Sequence, residues 1–358
     1  MKRRICWILV VCFLVLGLCF AALGEENHTP LPIVFSKHYD ITLFGIQKLH
    51  PFDSEKYGRV FKYLKKEAGI TKDRIFEPDM VSEKDLLRVH TQQYLASLKK
   101  PANVARIAEL GALKMLPGKL LEHKVLKPMK YGTGGTILAC QLALQYGWSI
   151  NLSGGYHHAK ADQGDGFCFF ADIPIAAHVL WDKDPDMRIM IVDLDAHQGN
   201  GHEAIFADDP RVFIYDMYND NIYPGDTEAA EFIDFNLPIG SHVQDEAYLT
   251  LLKDTLEPAI IQCNPNIIIY NAGTDIFEND PLGNQEITDQ GVIKRDSMVF
   301  ETARKMNVPV AMVLSGGYTK ESAEIIARSI TNLLENVLHA NAMRVARAKA
   351  PTSLLGLY

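Results

Sequence analysis

The sequence has too few cysteines for a disulfide-stabilised domain. Three of its six cysteines lie within the first 24 residues, which leaves Cys140, Cys168 and Cys263 for the rest of the 358-residue chain. Three widely separated thiols do not make a disulfide framework, so we expect a fold built on an ordinary hydrophobic core. Hydrophobic residues at 47% and charged residues at 22% are typical of such a globular core.

Long basic runs, nucleotide-binding loops and internal repeats are also missing from the body of the chain. The formal net charge of -8 argues against direct nucleic-acid binding. The glycine-rich stretch 132–135 lacks both the phosphate-loop pattern and the dinucleotide-binding spacing, so close helix packing explains it better. Because no low-complexity linker divides residues 30–340, we predict one domain there, followed by a loosely held tail at 341–358.

The N-terminus carries a leader that is not part of this domain. Lys2-Arg3-Arg4 precede an uninterrupted apolar stretch over residues 5–23, and two acidic residues follow it. Residues 1–24 are therefore interpreted as a cleaved signal peptide or a signal anchor, with the domain on the non-cytoplasmic side. The sequence thus predicts an exported protein or one associated with a membrane through residues 5–23. If the leader is a gene-model artefact, a cytoplasmic or nuclear location follows instead.

Apolar runs alternate with helical patterns through the body of the chain. Strands are predicted at 33–35, 149–152, 189–192, 212–215, 267–270 and 310–314, and helices near 57–64, 84–98, 103–115, 133–146, 246–262, 289–305 and 320–337. This alternation predicts an α/β fold, namely a single-domain three-layer α/β/α sandwich with a mostly parallel central sheet. In open parallel sheets, functional sites gather beyond the carboxyl ends of the strands.

One strand end is the most informative stretch of the chain. The apolar run 189–192 ends in Asp193, Asp195 and His197 at alternate positions, which a continuing strand would place on one face. A carboxylate and an imidazole projecting together suit a borderline-soft divalent metal, zinc above all.

Three further strand ends have the same character. His157 and His158 follow a Gly-Gly pair, Asp275 follows Asn-Ala-Gly-Thr, and Tyr318 follows Ser-Gly-Gly. With the preceding strand end they supply three carboxylates, three histidines and a tyrosine, which is the set of side chains that a metal-assisted hydrolase needs.

Together these motifs resemble the zinc-dependent histone deacetylases, which share a fold with arginases. The stretches that carry the resemblance are Gly155–Lys160, Gly166–Cys168, Asp193–Gly201, Asn271–Asp275 and Ser315–Tyr318. The resemblance spans roughly residues 32–335 and identifies 30–340 as a deacetylase-like catalytic domain. Within the family the chain is most similar to class IV, on the motifs His50–Asp53, Tyr223–Asp226 and Gly316–Tyr318.

The resemblance implies a single catalytic Zn²⁺ ion held by Asp195, His197 and Asp275. Three protein ligands leave coordination positions for water and for the substrate carbonyl, as catalysis requires. Zinc polarises the amide carbonyl and lowers the pKa of bound water. The resemblance also implies a structural potassium ion near Asp193.

Two adjacent histidines serve as base and acid around that water in the family. On this resemblance Asp193 orients His157, and Asn200 is the partner of His158. An asparagine leaves an imidazole less ready to hold a positive charge than an aspartate would. The resemblance to the family nevertheless implies that His158 is the essential base.

The remaining implied roles concern the substrate. Tyr318 is the expected oxyanion donor, and Gly166, Phe167 and Tyr223 are expected to line a tunnel for an acylated lysine of a protein or peptide. An apolar tunnel of this kind accepts a neutral acyl-lysine and rejects the charged free amine. Class IV resemblance further implies activity on long fatty acyl groups as well as acetyl.

Three alternatives remain open at this stage. Arginase-like ureohydrolysis needs two bridged manganese ions, but Gly199 stands where a further acidic ligand would be expected. An acetylpolyamine or other small-molecule amide deacetylase would use the same site with a different substrate in the tunnel. A catalytically silent scaffold is the third reading, although the complete set of candidate catalytic residues argues against it.

Overall fold

A computed structural model describes residues 30–49 and 52–338 of the chain. The predicted leader at 1–24, the tail at 341–358 and the His50–Pro51 part of one class IV motif lie outside the described residues, so these boundaries stay predictions. Among the described residues, none of the helices is both long enough and apolar enough to cross a membrane.

The described residues form one α/β domain around a seven-stranded sheet. Its strands are β1 (Ile33–Val34), β2 (Trp148–Asn151), β3 (Ile189–Asp193), β4 (Val212–Tyr218), β5 (Phe235–Pro238), β6 (Ile267–Asn271) and β7 (Val310–Val313). They lie in the order β1-β2-β7-β6-β3-β4-β5, and every neighbouring pair is parallel. The predicted α/β class is confirmed, and the sheet is more uniformly parallel than expected. Edge strand β5 was not predicted because its residues are partly exposed and form no apolar run.

Alternation of side chains along the central strands creates an apolar core on each face of the sheet. In β6, Ile268 and Tyr270 belong to one core cluster, whereas Ile267 and Ile269 belong to the other. All four residues are fully buried, and a buried isoleucine contributes about 1.5–3 kcal/mol relative to an exposed one. The sheet is therefore the middle of three layers, as the continuous apolar runs predict.

Twelve α-helices are described around the sheet. They are α1 (Lys56–Glu67), α2 (Glu83–Leu86), α3 (Gln92–Ser97), α4 (Pro101–Ile107), α5 (Gly118–Leu121), α6 (Lys127–Tyr146), α7 (Asp172–Trp181), α8 (Asn200–Phe206), α9 (Thr227–Ala230), α10 (Asp245–Cys263), α11 (Asp289–Lys305) and α12 (Ser322–Asn332). Helices α1, α10, α11 and α12 contribute to the first core cluster, and α6, α7 and α8 contribute to the second.

Two of the predicted helices are wrong in extent. The helix predicted at 84–98 is divided into α2 and α3, because Thr91 caps a new helix by accepting a hydrogen bond from the Tyr94 amide. The helix predicted near 103–115 ends at Ile107. Helix α7 was missed because it is buried on nearly all sides and has no amphipathic period.

A third apolar cluster supports the loops at one end of the sheet. It joins α3 and α4 to Tyr156, Cys168 and Phe169, which flank the loops after β2. The predicted histidine pair and the predicted tunnel glycine lie in these loops. This cluster therefore holds one wall of the candidate site against the sheet.

Candidate metal and catalytic site

The three predicted metal ligands meet at the carboxyl ends of two adjacent strands. Strand β3 ends at Asp193, so the loop that follows places Asp195 and His197, while the loop after β6 places Asp275. His197 Nδ1 lies 3.1 Å from Asp195 Oδ1 and 2.9 Å from Asp275 Oδ2. One ligand atom from each of the three buried residues lies within 4.8 Å of the other two. The expectation that Asp193, Asp195 and His197 lie on one face of a continuing strand is wrong, because β3 ends at Asp193.

Backbone amides hold both carboxylates in place. The Ala196 amide donates to Asp275 Oδ1 over 2.9 Å, and the Gly316 amide donates to Asp195 Oδ2 over 2.8 Å. A Cβ atom at Gly316 would lie only 2.3 Å from Asp275 Oδ2, so the close approach requires glycine. The outer oxygens are thereby fixed before any ligand binds, which preorganises the group.

The electrostatics of the group favour a bound cation. Burial and the charge of Asp195 raise the pKa of Asp275 to about 7. Burial alone would raise the pKa of Asp195 as well, but His157 and His197 lower it. Two buried carboxylates held this close repel each other, and a divalent cation between them would remove that repulsion. The two-oxygen, one-nitrogen donor set fits zinc.

His157 faces a carboxylate. Its Nδ1 donates to Asp193 Oδ2 over 2.9 Å, and the Asn271 side-chain amide donates to the other oxygen of Asp193 over 2.9 Å. Its Nε2 lies 3.7 Å from Asp195 Oδ1. Burial alone would lower the pKa of His157, but Asp193 and Asp195 together raise it to about 9.

His158 faces an amide. Its Nδ1 lies 3.0 Å from Asn200 Oδ1, and Asn200 Nδ2 donates to Asp226 Oδ2 over 3.1 Å. Because Asp226 accepts from the amide nitrogen, the amide oxygen faces His158 and accepts the Nδ1 proton, which leaves Nε2 with its lone pair. Burial and the charges of His157 and His197 lower the pKa of His158 well below 6.5.

Tyr318 lies beside His197. The two ring centroids are 6.0 Å apart, and the Tyr318 amide donates to Asp280 Oδ2 over 2.8 Å. Burial and the nearby Asp275 and Asp195 raise the pKa of Tyr318 well above 10. Its hydroxyl therefore stays protonated at neutral pH and can donate a hydrogen bond.

Comparison with known proteins identifies the family to which the chain belongs. A family profile described as "Histone deacetylase domain" matches residues 50–334. The chain belongs to the histone deacetylase family. It is 49% identical over 301 residues to "Histone deacetylase 2" of Arabidopsis thaliana, an alignment that covers 84% of this chain and 78% of that relative.

The chain is also similar to more distant proteins. The chain is 29% identical over 249 residues to "Acetoin utilization protein AcuC" of Staphylococcus aureus, covering 65% of this chain and 63% of that protein. The solved structure described as "Crystal Structure of HDA15 HD domain" matches with a TM-score of 0.70 and 19% identity, over 88% of this chain and 94% of that one. At that identity the structural match shows the fold alone.

The predicted tunnel residues lie beside the histidine pair of this histone deacetylase. The Tyr223 ring centroid is 4.9 Å from that of His158, and the Phe167 ring is 4.3 Å from that of Phe52. Gly166 has a φ of +48°, and a Cβ atom there would lie 2.6 Å from the His158 ring. Gly166, Phe167, Tyr318 and both histidines surround a cavity of about 20 Å³. The residues predicted for the tunnel are thus brought together with those predicted for the chemistry.

The sequence analysis did not predict two buried basic residues near the deacetylase site. Lys56 donates to the carbonyls of Ser315 and Gly316 over 2.5 and 2.9 Å, and Arg295 is buried behind the ligand loops. Both lie on helices whose basic residues otherwise face solvent, so no sequence signal separates them from surface residues.

A second group of titratable residues was also missed. One ligand atom from each of the buried residues Asp193, His202 and Asp216 lies within 4.8 Å of the other two. Neither ring nitrogen of His202 and only one oxygen of Asp216 has a hydrogen-bond partner among the described residues. The signal that could have found Asp216 is an acidic residue inside the otherwise apolar strand β4.

Proposed function

We propose that this protein is a zinc-dependent lysine deacylase of class IV type, which hydrolyses the amide bond between an acyl group and a lysine side chain. The observation that carries the proposal is the buried group Asp195, His197 and Asp275, with the rings of His158 and Tyr318 at 5.9 and 6.0 Å from that of His197, centroid to centroid. One open metal site between a base and an oxyanion donor suits amide hydrolysis.

Asp195, His197 and Asp275 would hold the Zn²⁺ ion. When bound, zinc would polarise the amide carbonyl and acidify a water molecule. We also assign a structural potassium ion to the neighbourhood of Asp193 and Asp216. The support is that the buried Asp216 Oδ1 atom has no hydrogen-bond partner within the part of the chain that the structure describes, and that carboxylate oxygens suit a hard cation.

His158 acts as the general base in this proposal. Its neutral state and its free Nε2 lone pair follow from burial and from the hydrogen bond to Asn200. It takes the proton of the attacking water and later passes a proton to the departing lysine nitrogen. His157, held protonated by Asp193, stabilises the negative charge that develops beside it.

Tyr318 supplies a hydrogen bond to the carbonyl oxygen of the substrate amide. Its phenol donates to the carbonyl oxygen as that oxygen gains negative charge, so the interaction strengthens on the way to the transition state. Asp280 fixes the Tyr318 backbone through its amide, and Phe52 lies 6.0 Å from the Tyr318 ring, centroid to centroid. The ring is therefore positioned before substrate arrives.

Gly166, Phe167 and Tyr223 guide the acylated lysine in this proposal. Aromatic walls suit the alkyl stem of a neutral acyl-lysine, and the free amine produced would leave because burying its charge is unfavourable. Class IV resemblance favours long fatty acyl groups. The cavity of about 20 Å³, in contrast, has room for roughly one water molecule, and this small size favours acetyl over a long acyl group.

The predicted leader at residues 1–24 bears on where in the cell the protein acts. Because residues 5–23 form an apolar stretch after three basic residues, we infer export or membrane anchoring of the domain. A start downstream of the leader would instead give a cytoplasmic or nuclear enzyme. The acylated protein substrate would differ accordingly.

The test uses the full-length protein loaded with zinc, offered an acetyl-lysine peptide, a myristoyl-lysine peptide and an acetylpolyamine. We expect turnover of the peptides, and we expect Tyr318→Phe to lower kcat about 100-fold with KM little changed. Tyr63→Phe on helix α1 is the matched control and should retain wild-type rates. Turnover of the acetylpolyamine alone would favour the small-molecule alternative. No turnover after confirmed zinc loading would favour a silent scaffold.

A further inference from the structure

Arg295 is a fully buried arginine that connects the two loops carrying the metal ligands. It lies in the middle of α11, and its Nη1 donates to the Leu194 carbonyl over 3.0 Å and to the Gly273 carbonyl over 2.5 Å. Leu194 immediately precedes the ligand Asp195, and Gly273 precedes the ligand Asp275 by two residues. One guanidinium nitrogen thus joins the ends of β3 and β6.

The charge of Arg295 is balanced next to it in the chain. Its Nε donates to Asp296 Oδ1 over 3.0 Å, and Tyr270 and Ser329 donate their hydroxyl protons to the same carboxylate over 2.5 Å each. A buried ion pair of this kind stabilises a fold no better than apolar residues of similar volume. Packing of α11 alone therefore does not explain why an arginine lies here.

The hydrogen bonds from Arg295 to the two ligand loops give a better reason for an arginine at this position. Asp195 and Asp275 repel each other when no cation lies between them, and their loops follow adjacent strands. A rigid guanidinium that bonds a carbonyl in each loop, while its Nε is anchored on Asp296, fixes the separation of those loops. A lysine ammonium can also donate to two carbonyls, but it is a single nitrogen on a flexible stem, so it could not hold Asp296 and both carbonyls in the fixed planar geometry of a guanidinium.

We propose that Arg295 is a positioning residue for the divalent metal: it holds the loops after β3 and β6 at the separation at which Asp195 and Asp275 bind one ion together. It acts through the Leu194 and Gly273 carbonyls, while the ligands Asp195, His197 and Asp275 make the metal contacts. The inference rests on the proposed function, since it presupposes a metal bound by these ligands.

The test measures metal binding directly on the full-length protein. Cobalt(II) is titrated into the metal-free protein, following its absorption spectrum, and the zinc dissociation constant is measured by chelator competition. The variants are Arg295→Lys, which keeps the charge, and the double variant Arg295→Met with Asp296→Asn, which leaves no unpaired buried charge. We expect the zinc dissociation constant to rise about 10- to 100-fold in both, with a changed cobalt spectrum.

Phe300→Leu is the matched control. Phe300 is buried on the same helix, and its side chain cannot form a hydrogen bond to either loop. Its substitution should lower the thermal unfolding temperature while leaving zinc affinity within about twofold of wild type, since single core truncations act mainly on stability. If the double variant does not fold, Arg295→Lys decides the question.

The outcomes separate the inference from the function on which it rests. Wild-type zinc affinity and cobalt spectra in both arginine variants would overturn the role of Arg295 alone. Failure of the wild-type protein to bind one cobalt ion at these ligands would overturn the proposed function and the inference together. Weakened binding in the arginine variants, but not in Phe300→Leu, supports the inference.

Discussion

The two histidines after β2 are neighbours in the chain, yet their surroundings keep one of them protonated and the other neutral. Their ring centroids are 4.1 Å apart. His157 donates to the carboxylate of Asp193, and its pKa rises to about 9, whereas His158 donates to the amide of Asn200, and its pKa falls well below 6.5. Both rings are buried, but carboxylates offset the effect of burial only at His157, whereas burial and the charges of His157 and His197 keep His158 neutral and able to accept a proton at neutral pH.

The chains of hydrogen bonds behind the two rings also differ in how they reach solvent. We call them the Asp193 arm and the Asn200 arm, after the first partner of His157 and of His158. The Asp193 arm is buried throughout and leads to Asn271. The Asn200 arm leads to Asp226 and then to Lys160, whose side chain is partly exposed. Changes in the second arm can therefore be made stepwise from the surface inwards, which makes the comparison open to experiment.

The largest effect is expected from removing the neutral ring. His158→Ala should lower kcat/KM by about 10²- to 10⁴-fold, because the variant lacks the neutral imidazole that takes the proton of water in the proposed mechanism. His157→Ala should have the smaller effect, since a ring that is already protonated cannot be the base. Rates with an acetyl-lysine peptide, at confirmed zinc content, decide the comparison. Equal losses in the two variants, or a greater loss in His157→Ala, would contradict this division of roles.

An intermediate effect is expected when both arms carry a carboxylate. Asn200→Asp places a negative charge beside His158 and should raise the pKa of that histidine. The base must be neutral to act, so activity is lost as pH falls through this pKa, and raising the pKa moves that loss to higher pH. We expect the acidic limb of the kcat/KM profile to shift upwards, with several-fold lower activity at pH 6 and little change at pH 8.5. An unmoved acidic limb would show that another group controls it.

The smallest effect is expected at the outer end of the second arm. Lys160 Nζ donates to Asp226 Oδ2 over 2.7 Å, but both side chains are partly exposed. Such pairs contribute little, so Lys160→Met should change kcat/KM by no more than about threefold. Asn200 still donates to Asp226 in this variant and keeps its orientation. A tenfold loss with an altered pH profile would place Lys160 within the proton-transfer machinery instead.

The site was more predictable from sequence than the helices around it. Buried parallel strands are continuous apolar runs, and each abrupt change to polar residues marks a loop at the same edge of the sheet. For that reason Asp195, His197, Asp275 and Tyr318 could be grouped before their separation in space was known. Helix α11 was also located correctly at 289–305, where an amphipathic pattern follows the Thr288 cap.

What sequence could not supply were features that depend on packing between distant segments. Lys56 and Arg295 contact carbonyl groups more than twenty residues away in the chain, and a local pattern shows a basic residue on a helix in either case. The break between α2 and α3 likewise depends in part on a contact with a distant segment, because the buried ring of His90 accepts a hydrogen bond from the Ala171 amide. Local propensity alone favoured one continuous helix there.

The three cysteine thiols of the described domain are all buried, so their reaction with an alkylating reagent reports on opening of the structure. Cys140, Cys168 and Cys263 are each unpaired, and burial raises the pKa of every one of them above 9. Reactive thiols are exposed thiolates, so alkylating reagents modify such residues only when the surrounding structure opens. Cys168 lies in the wall of the tunnel cavity, whereas Cys140 is packed beneath the sheet. Their relative labelling rates therefore distinguish breathing of the tunnel wall from unfolding of the whole domain.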